Sequence, residues 1–243
     1  MFARLSPPGT QNQMQGPRQQ EFLVDPMKQT RMGEKIVILG GGGFAREAAL
    51  HILDSIPHAQ VVFVDENPKS ASIQIARRTF AVVSDWQMPV GFEHFVVGVG
   101  SPAIKRKLVS KALEVGLRPA QTVIHPSATV QDAAIGLGGI VAPGCRLTTN
   151  VRIGAYVIVN LNVTIGHDAV VGDYCTINPG ASVSGNDVLG DDVVLGTGTV
   201  VREGVHIAAN VTVGAQAAVV KDEPRNSVLL VGVPASAKPG KGE

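Results

Sequence analysis

The chain has 243 residues, 44% of them hydrophobic, which is enough to bury a sizeable core and to form two domains. Its 21 basic and 20 acidic residues leave a formal charge of +1, so bulk charge favours neither nucleic-acid binding nor attachment to an acidic membrane. No apolar stretch is long enough to span a bilayer, so we expect no membrane insertion. Two cysteines, Cys145 and Cys175, form neither a disulfide framework nor a metal-binding spacing, and no secretory segment is recognisable. We therefore expect a cytoplasmic protein without a metal site.

The first 32 residues are rich in Gln, Pro, Arg and Met and show no sustained period. A segment of this composition buries too little apolar surface to offset the entropy lost on ordering. We predict that residues 1–32 form a flexible N-terminal tail.

Residues 33–124 are predicted to form a Rossmann-like α/β domain built on a βαβ unit. Short apolar runs typical of buried strands alternate with stretches of helical period. The predicted strands are 36–39, 61–65 and 95–99, and the predicted helices are 44–56 and 103–115. A length of about ninety residues suits one mononucleotide-binding half but not a full dinucleotide-binding fold.

A run of four glycines joins the first predicted strand to the first predicted helix and fits the pattern G-x-G-x-x-A. Backbone amides in such a loop can receive a phosphate, and the next strand ends in two carboxylates that can accept from a ribose or a base. The candidate nucleotide-sugar-binding residues are Gly40, Gly42, Gly43, Phe44, Asp65 and Glu66. The same atoms would serve NAD in a longer domain, and a helix-capping glycine turn without a ligand is the structural alternative.

Residues 125–243 are predicted to form the second domain, in which a six-residue period runs from Ile135 to Val219. Fifteen positions at this spacing are all Ile, Leu or Val: Ile135, Val141, Leu147, Ile153, Val159, Ile165, Val171, Ile177, Val183, Leu189, Leu195, Val201, Ile207, Val213 and Val219. Four residues after each lies a second row that is mostly small or apolar and includes both cysteines. Neither a helix nor an ordinary strand repeats in this way, so the pattern predicts a parallel β-helix with three units to each coil. The tail from Val228 is expected to cover the exposed edge of the last coil.

This combination resembles the hexapeptide-repeat sugar acetyltransferases, whose β-helix is left-handed and which include sialic-acid O-acetyltransferases and N-acetyltransferases of nucleotide-linked 4-amino-deoxysugars. The similarity covers the sequence Ile-His-Pro-Ser-Ala at 124–128, Asn160 followed seven residues later by His167 and Asp168, and the closing segments 220–222 and 232–235. Three residues depart from the family pattern: Phe44 and Thr176 replace common histidines, and Gln216 replaces a glycine.

The resemblance implies an acetyl-CoA-dependent homotrimer with active sites between subunits, acting in glycan biosynthesis. It implies that His167 is the general base, that Asp168 is its partner, that Asn160 contacts the substrate and that Gly185 is the oxyanion donor. The implied coenzyme-binding residues are Gly185, Thr197, Gly214 and Ala215.

The residues themselves support this chemistry while leaving structural alternatives open. An imidazole is well suited to accept a proton near neutral pH, and a neighbouring carboxylate can hold it in one tautomer. Equally, His167 could be a solvated surface side chain, Asp168 a hydrated turn residue, Asn160 a residue tolerating a left-handed corner and Gly185 a plain corner glycine. Cys145 and Cys175 occupy inward positions, where burial makes a thiol a poor nucleophile.

We expect acetyl transfer from acetyl-CoA to the amino group of a nucleotide-activated amino-deoxysugar, by direct attack with His167 as the base. The first alternative is O-acetylation of sialic acid or a related sugar by the same fold. The second is a non-catalytic β-helix that binds a sugar nucleotide as a scaffold.

Overall fold

The computed structural model describes residues 35–238, and the tail predicted for residues 1–32 lies outside this range. Within it, no helix combines the length and the apolar character that crossing a bilayer requires.

The N-terminal part is an α/β unit with one six-stranded sheet in the order β3-β4-β2-β1-β5-β6. Its elements are β1 (Lys35–Leu39), α1 (Gly43–Ser55), β2 (Gln60–Val64), β3 (Ser72–Ile75), β4 (Arg78–Val83), β5 (His94–Val97), α2 (Pro102–Glu114) and β6 (Arg118–Pro119). All pairs are parallel except the antiparallel pair of β3 and β4. The predicted strands and helices are confirmed to within a few residues, whereas β3, β4 and β6 were not predicted, because their alternating or very short patterns give little periodic signal.

Local sequence explains how α2 begins and ends and how α1 begins. The Ser101 side chain accepts from the Ile104 N–H at the start of α2, and Pro102 occupies the first turn, where a missing N–H costs nothing. Gly116 follows the helix with φ of 88°, in the left-handed region that favours glycine. By contrast, α1 begins after Gly42 without a side-chain cap, so no side chain occupies its first amides.

The C-terminal part is a parallel β-helix with three faces, which we name first, second and third in the order in which the chain visits them. Its strands are β7 (Val123–Ile124), β8 (Thr129–Val130), β9 (Ala133–Ile135), β10 (Ile140–Val141), β11 (Arg146–Leu147), β12 (Val151–Ile153), β13 (Ile158–Val159), β14 (Thr164–Ile165), β15 (Val170–Val171), β16 (Thr176–Ile177), β17 (Ser182–Val183), β18 (Val188–Leu189), β19 (Val194–Leu195), β20 (Val200–Val201), β21 (His206–Ile207), β22 (Thr212–Val213), β23 (Ala218–Val219), β24 (Leu229–Val231) and β25 (Ser236–Ala237).

Each face is one sheet. The first face has the order β25-β24-β22-β19-β16-β13-β10-β7, the second β23-β20-β17-β14-β11-β8, and the third β21-β18-β15-β12-β9. Partners on a face lie one coil apart, as in the pairing of Ile158 with Thr176. The C-terminal tail joins the first face, since β24 pairs with β22 and β25 folds back antiparallel on β24, so the predicted cover is confirmed there.

The six-residue period places the core. All fifteen periodic aliphatic residues are buried, none more than 8% exposed. Cys145 and Cys175 are fully buried in the second row, as predicted, and burial raises the pKa of their thiols to about 11 and about 12. Both thiols are therefore protonated near neutral pH, which makes them poor nucleophiles.

The α/β unit packs on the first face and on the corner between the third and first faces. Lys105 of α2 is completely buried there and donates to the carbonyls of Cys175 at 2.8 Å and Tyr156 at 3.2 Å. It also donates to the Thr176 hydroxyl at 2.9 Å, and that hydroxyl donates to the Gly100 carbonyl at 2.7 Å. These bonds connect the loop after β5 directly to the β-helix.

Candidate active site

His167 and Asp168 lie on the corner between the second and third faces, just after β14. The His167 Nδ1 is 2.9 Å from Asp168 Oδ2, and both side chains are about half exposed, at 56% and 47%. Adjacent residues on a strand point to opposite sides, but Asp168 has φ of 61°, and this left-handed turn brings its carboxylate back beside the ring. A carboxylate at Nδ1 holds the proton there, which leaves Nε2 as the free base.

Asn150 completes this arrangement and was not predicted from the sequence. It lies one coil before Asp168, and its Nδ2 donates to Asp168 Oδ1 at 2.6 Å. This bond holds the pKa of Asp168 below its usual value, and the hydrogen bond to His167 is the second largest cause of the shift. The signal that could have revealed Asn150 is the column of Asp132, Asn150, Asp168 and Asn186, spaced by 18 residues.

Gly185 lies one coil after His167 on the same corner. A Cβ on Gly185 would be 2.5 Å from His167 Nε2 and 2.6 Å from its Cε1, so only glycine leaves room for the imidazole there. Within residues 35–238, the Gly185 N–H donates to no protein acceptor, whereas its carbonyl accepts from the Gly204 N–H at 3.0 Å. A base and an available backbone donor therefore lie side by side.

The glycine loop lies at the carboxyl end of β1. Gly40 has φ of 115° and donates to the Val64 carbonyl at 2.8 Å, which fixes the turn. A Cβ on Gly42 would meet no atom within 4 Å, and the first amides of α1 have no side-chain cap, so this end of the helix is open to a ligand. Phe44 is half-buried and packs against the hydrophobic clusters on both sides of the sheet.

The two carboxylates after β2 have different surroundings. Asp65 lies over the loop, since a Cβ on Gly41 would be 2.6 Å from Asp65 Oδ2. Glu66 is bound by Lys107 at 3.0 Å and by the Trp86 indole N–H at 3.3 Å, which lower its pKa. Asp65 therefore has the freer carboxylate of the two.

The remaining predicted residues lie on the corner between the first and second faces: Asn160, Thr197, Gly214 and Ala215. Asn160 is 8% exposed and lies outside the left-handed region, so the left-handed alternative was wrong. Its own Oδ1 accepts from the Leu161 N–H at 2.7 Å and turns the chain. Within one chain, the structure thus groups His167 with Asp168 and Gly185, but brings neither the glycine loop nor this second corner to them.

Thr176 lies on β16 of the first face and is only 2% exposed. Its hydroxyl is occupied by Lys105 and by the Gly100 carbonyl. The residue that replaces the second family histidine is therefore part of the contact between the two parts of the chain.

A hexapeptide β-helix that carries an exposed imidazole beside a backbone donor has the architecture of an acyltransferase. Comparison with known proteins agrees: residues 35–112 match the PglD N-terminal domain. The chain is 29% identical to the GDP-perosamine N-acetyltransferase of Escherichia coli O157:H7 over 204 residues, which are 80% of this chain and 81% of that protein.

Solved structures give the same result. The acetyltransferase domain of PglB from Neisseria gonorrhoeae in complex with acetyl coenzyme A superposes with a TM-score of 0.75 at 29% identity, over 85% of this chain and all of that one. PerB from Caulobacter crescentus, in complex with CoA and GDP-perosamine, gives a TM-score of 0.73 at 31% identity over 84% of this chain and 97% of that one.

The chain belongs to the hexapeptide-repeat sugar acetyltransferases, enzymes that use acetyl-CoA as co-substrate. The predicted fold class, a Rossmann-like α/β domain followed by a left-handed parallel β-helix, is confirmed.

Proposed function

We propose that this protein transfers the acetyl group of acetyl-CoA to the amino group of a nucleotide-activated amino-deoxysugar. Residues 33–124 bind the nucleotide and residues 125–243 carry out the transfer. The observation that carries the proposal is the 2.9 Å contact of His167 Nδ1 with Asp168 Oδ2, which leaves Nε2 as a base against Gly185. GDP-perosamine, held by the Caulobacter crescentus relative, is a nucleotide-linked amino sugar of this class.

His167 acts as the general base. Its Nε2 accepts a proton from the sugar amine as the nitrogen attacks the thioester carbonyl, and the Asp168 carboxylate stabilises the imidazolium that results. The C–S bond then breaks, and the imidazolium returns the proton to the departing sulfur, so that CoA leaves as a thiol. Asn150 holds the carboxylate by its other oxygen, so that Oδ2 stays directed at Nδ1. These three side chains move one proton and keep the ring in one orientation.

Gly185 stabilises the negative charge of the reaction. Acetyl-CoA supplies the acetyl group as a thioester, whose carbonyl oxygen gains charge when the amine attacks. The Gly185 N–H has no protein acceptor within the described range and can donate to that oxygen. On the neighbouring corner, the half-buried Gly214 and the exposed Ala215 are the small residues past which the coenzyme would lie.

The glycine loop holds the diphosphate. Gly42 and Gly43 present uncapped amides at the start of a helix of 13 residues, whose dipole favours a negative charge. Asp65, beside the loop, is placed to accept a hydrogen bond from the ribose.

A homotrimer with active sites between subunits is supported by where these groups lie. The α/β unit covers the first face, while His167 lies on the opposite corner between the second and third faces. A single chain therefore cannot bring its own glycine loop to its own imidazole, but neighbouring subunits around a threefold axis can.

The direct test of the base is His167→Ala, with acetyl transfer followed by thiol release from acetyl-CoA over a panel of nucleotide-linked amino sugars. We expect a loss of about 10²–10⁴-fold in kcat, the usual contribution of a general base. His206→Ala is the matched control, because His206 is another exposed histidine of the β-helix.

Three results would contradict parts of the proposal. Undiminished turnover in His167→Ala removes the imidazole from the mechanism. Thiol release only with free sialic acid favours O-acetylation, and no release with any acceptor favours a scaffold.

Subunit complementation tests the shared site. Gly42→Asp should fold, since its Cβ enters open space and aspartate is a good N-cap, but its charge should repel the diphosphate. Neither this variant nor His167→Ala should be active alone. Co-assembled at equal amounts, they should regain about a quarter of wild-type activity if loop and imidazole come from different subunits of a symmetric oligomer. If each site is formed within one chain, no activity returns.

A further inference from the structure

The core of the β-helix contains a carboxylate at a position that its period reserves for small or apolar side chains. Asp187 lies four residues after Val183 in the second inward row and is completely buried. Ala169 and Val205 fill the equivalent positions one coil before and one coil after. Within residues 35–238, no lysine, arginine or histidine forms an ion pair with Asp187.

A buried carboxylate without a cation is costly for stability, by several kcal/mol in typical proteins, so an apolar residue would serve the core better. Burial raises the pKa of Asp187 to about 6, and at neutral pH the group is mainly anionic. It is compensated by backbone donors alone: Oδ2 accepts from the Ser184 N–H at 2.8 Å and Oδ1 from the Val205 N–H at 2.9 Å. Such charge-assisted bonds are stronger than neutral ones.

These bonds change the hydrogen-bond ladder at one corner. At the equivalent positions of neighbouring coils, the backbone N–H donates to a carbonyl of the next coil: Thr148 to Ile165, Gly166 to Val183 and Arg202 to Val219. Ser184 departs from this pattern, because its N–H donates to Asp187 instead. The Val201 carbonyl, which the ladder would assign to that N–H, is taken by the Ser184 hydroxyl at 2.6 Å.

The altered corner is the one that carries Gly185. Ser184 directly precedes Gly185, so the orientation of the peptide that joins them determines where the Gly185 N–H points. On the other side, the Asn186 N–H donates to the His167 carbonyl at 2.8 Å, and this bond ties the corner to the residue that supplies the base.

We propose that Asp187 is a positioning residue for acetyl transfer: its buried carboxylate draws the Ser184 N–H out of the ladder and so fixes the Val183–Ser184 peptide. The backbone of Ser184 passes this constraint to the next peptide, Ser184–Gly185, which carries the Gly185 N–H. This inference rests on the proposed function, in which the Gly185 N–H receives the developing negative charge. Asp187 touches neither substrate, and its effect passes through the backbone of the corner. A polar residue thus occupies a core position that would otherwise be apolar, and the Gly185 N–H is held in a fixed direction beside the imidazole.

The test compares Asp187→Val, which restores the residue type found at Val205, with Asp187→Asn, whose single amide oxygen can accept only one of the two N–H groups. Cys175→Val is the matched control, since Cys175 occupies the same inward row at a different corner. For each variant, kcat, the KM of both substrates and the melting temperature are measured.

The melting temperature of Asp187→Val should stay within a few degrees of wild type, because the gain from replacing a buried charge by an apolar side chain is offset by the Val205 N–H, which loses its acceptor. Its kcat should fall about 10- to 100-fold with both KM values unchanged, as expected when a donor that acts only in the transition state is misplaced. The kcat of Asp187→Asn should lie between those of Asp187→Val and the wild type. Cys175→Val should keep the wild-type kcat.

An unchanged kcat in Asp187→Val would overturn the inference, as would a loss that follows a lower melting temperature and a raised KM. If Asp187→Val does not fold, the kcat, the KM values and the melting temperature of Asp187→Asn are judged by the same criteria. Failure of the proposed function is distinguishable, because it would appear as undiminished turnover in His167→Ala, whereas an inactive His167→Ala with a fully active Asp187→Val refutes only the role of Asp187.

Discussion

Replacing Lys105 by methionine should change how the stability of this protein depends on pH. Lys105 is completely buried, and burial lowers its pKa to about 7 from the usual value of 10.5. Three oxygens solvate the ammonium, from Tyr156, Cys175 and Thr176, and no carboxylate among residues 35–238 forms a salt bridge with it. Methionine has a similar length and no charge, so Lys105→Met should be neutral or stabilising near pH 7.

The sign of the pH effect follows from proton binding. Between the folded pKa of about 7 and the unfolded value of 10.5, the unfolded chain holds a proton that the folded protein has released. Stability must therefore rise with pH in this window, by at most about 1.4 kcal/mol per pH unit. Between about pH 7 and pH 8.5 the expected gain is about 1 to 2 kcal/mol.

Other groups limit the useful window. Burial raises the pKa values of Cys145, Cys175 and Tyr156 to about 11, about 12 and about 12, so above about pH 9 the folded protein keeps protons that the unfolded chain loses. Those groups make stability fall with pH. Burial lowers the pKa of His51, so this group affects stability only below its usual pKa of 6.5. The range between pH 7 and pH 8.5 is therefore left to Lys105.

Urea unfolding at several pH values measures this effect. Trp86, the one tryptophan of the chain, lies in the same α/β unit as Lys105 and reports its unfolding by fluorescence. The wild type and the control Lys111→Met, which changes an exposed lysine of the same helix, should both gain stability as pH rises. Lys105→Met should lose this gain, and an equal slope in Lys105→Met and wild type would refute the assignment of the buried charge.

Two further substitutions test the corner that carries the base. Asn150→Gly removes the donor to Asp168 Oδ1 and tolerates the left-handed φ of 54° at this position, so kcat should fall about 3- to 10-fold while the melting temperature falls by about 2 to 4 °C, since an exposed hydrogen bond contributes about 1 kcal/mol. An unchanged kcat would show that Asp168 functions without the bond from Asn150. Gly185→Ala places a Cβ 2.5 Å from His167 Nε2 and should displace the ring, lowering kcat at least about 100-fold with assembly intact by size-exclusion chromatography. Wild-type turnover in Gly185→Ala would mean that the imidazole works from another position.

The sequence predicted the β-helix because its period is a local property. Each coil repeats the same six-residue unit, and every one of the fifteen aliphatic positions is buried as the period requires. The glycine loop and α1 were also predicted from the sequence, since an apolar run followed by a glycine turn and a stretch of helical period is typical of a strand, a loop and a helix in a βαβ unit. The pair β3 and β4 was not predicted, because β3 alternates apolar and polar residues over only four positions and most residues of both strands are exposed or half-buried.

The candidate site was only partly readable. The roles of His167, Asp168 and Gly185 were predicted from the family resemblance. Asn150 was missed because an asparagine at a coil corner is also what a left-handed turn demands, and it indeed has φ of 54°. Asp187 was missed because its significance depends on the Ser184 N–H and the Val201 carbonyl, which the sequence does not bring together.

By itself, then, the sequence determined the β-helix, its inward rows and the open glycine loop, because each follows from a short pattern that repeats or connects neighbours. Only the tertiary structure decided that the α/β unit covers the first face through Lys105 and Thr176, and that His167 lies at the corner remote from it. The reason is physical: the period sets which side chains point inward, whereas the face chosen for docking depends on hydrogen bonds between residues 71 positions apart.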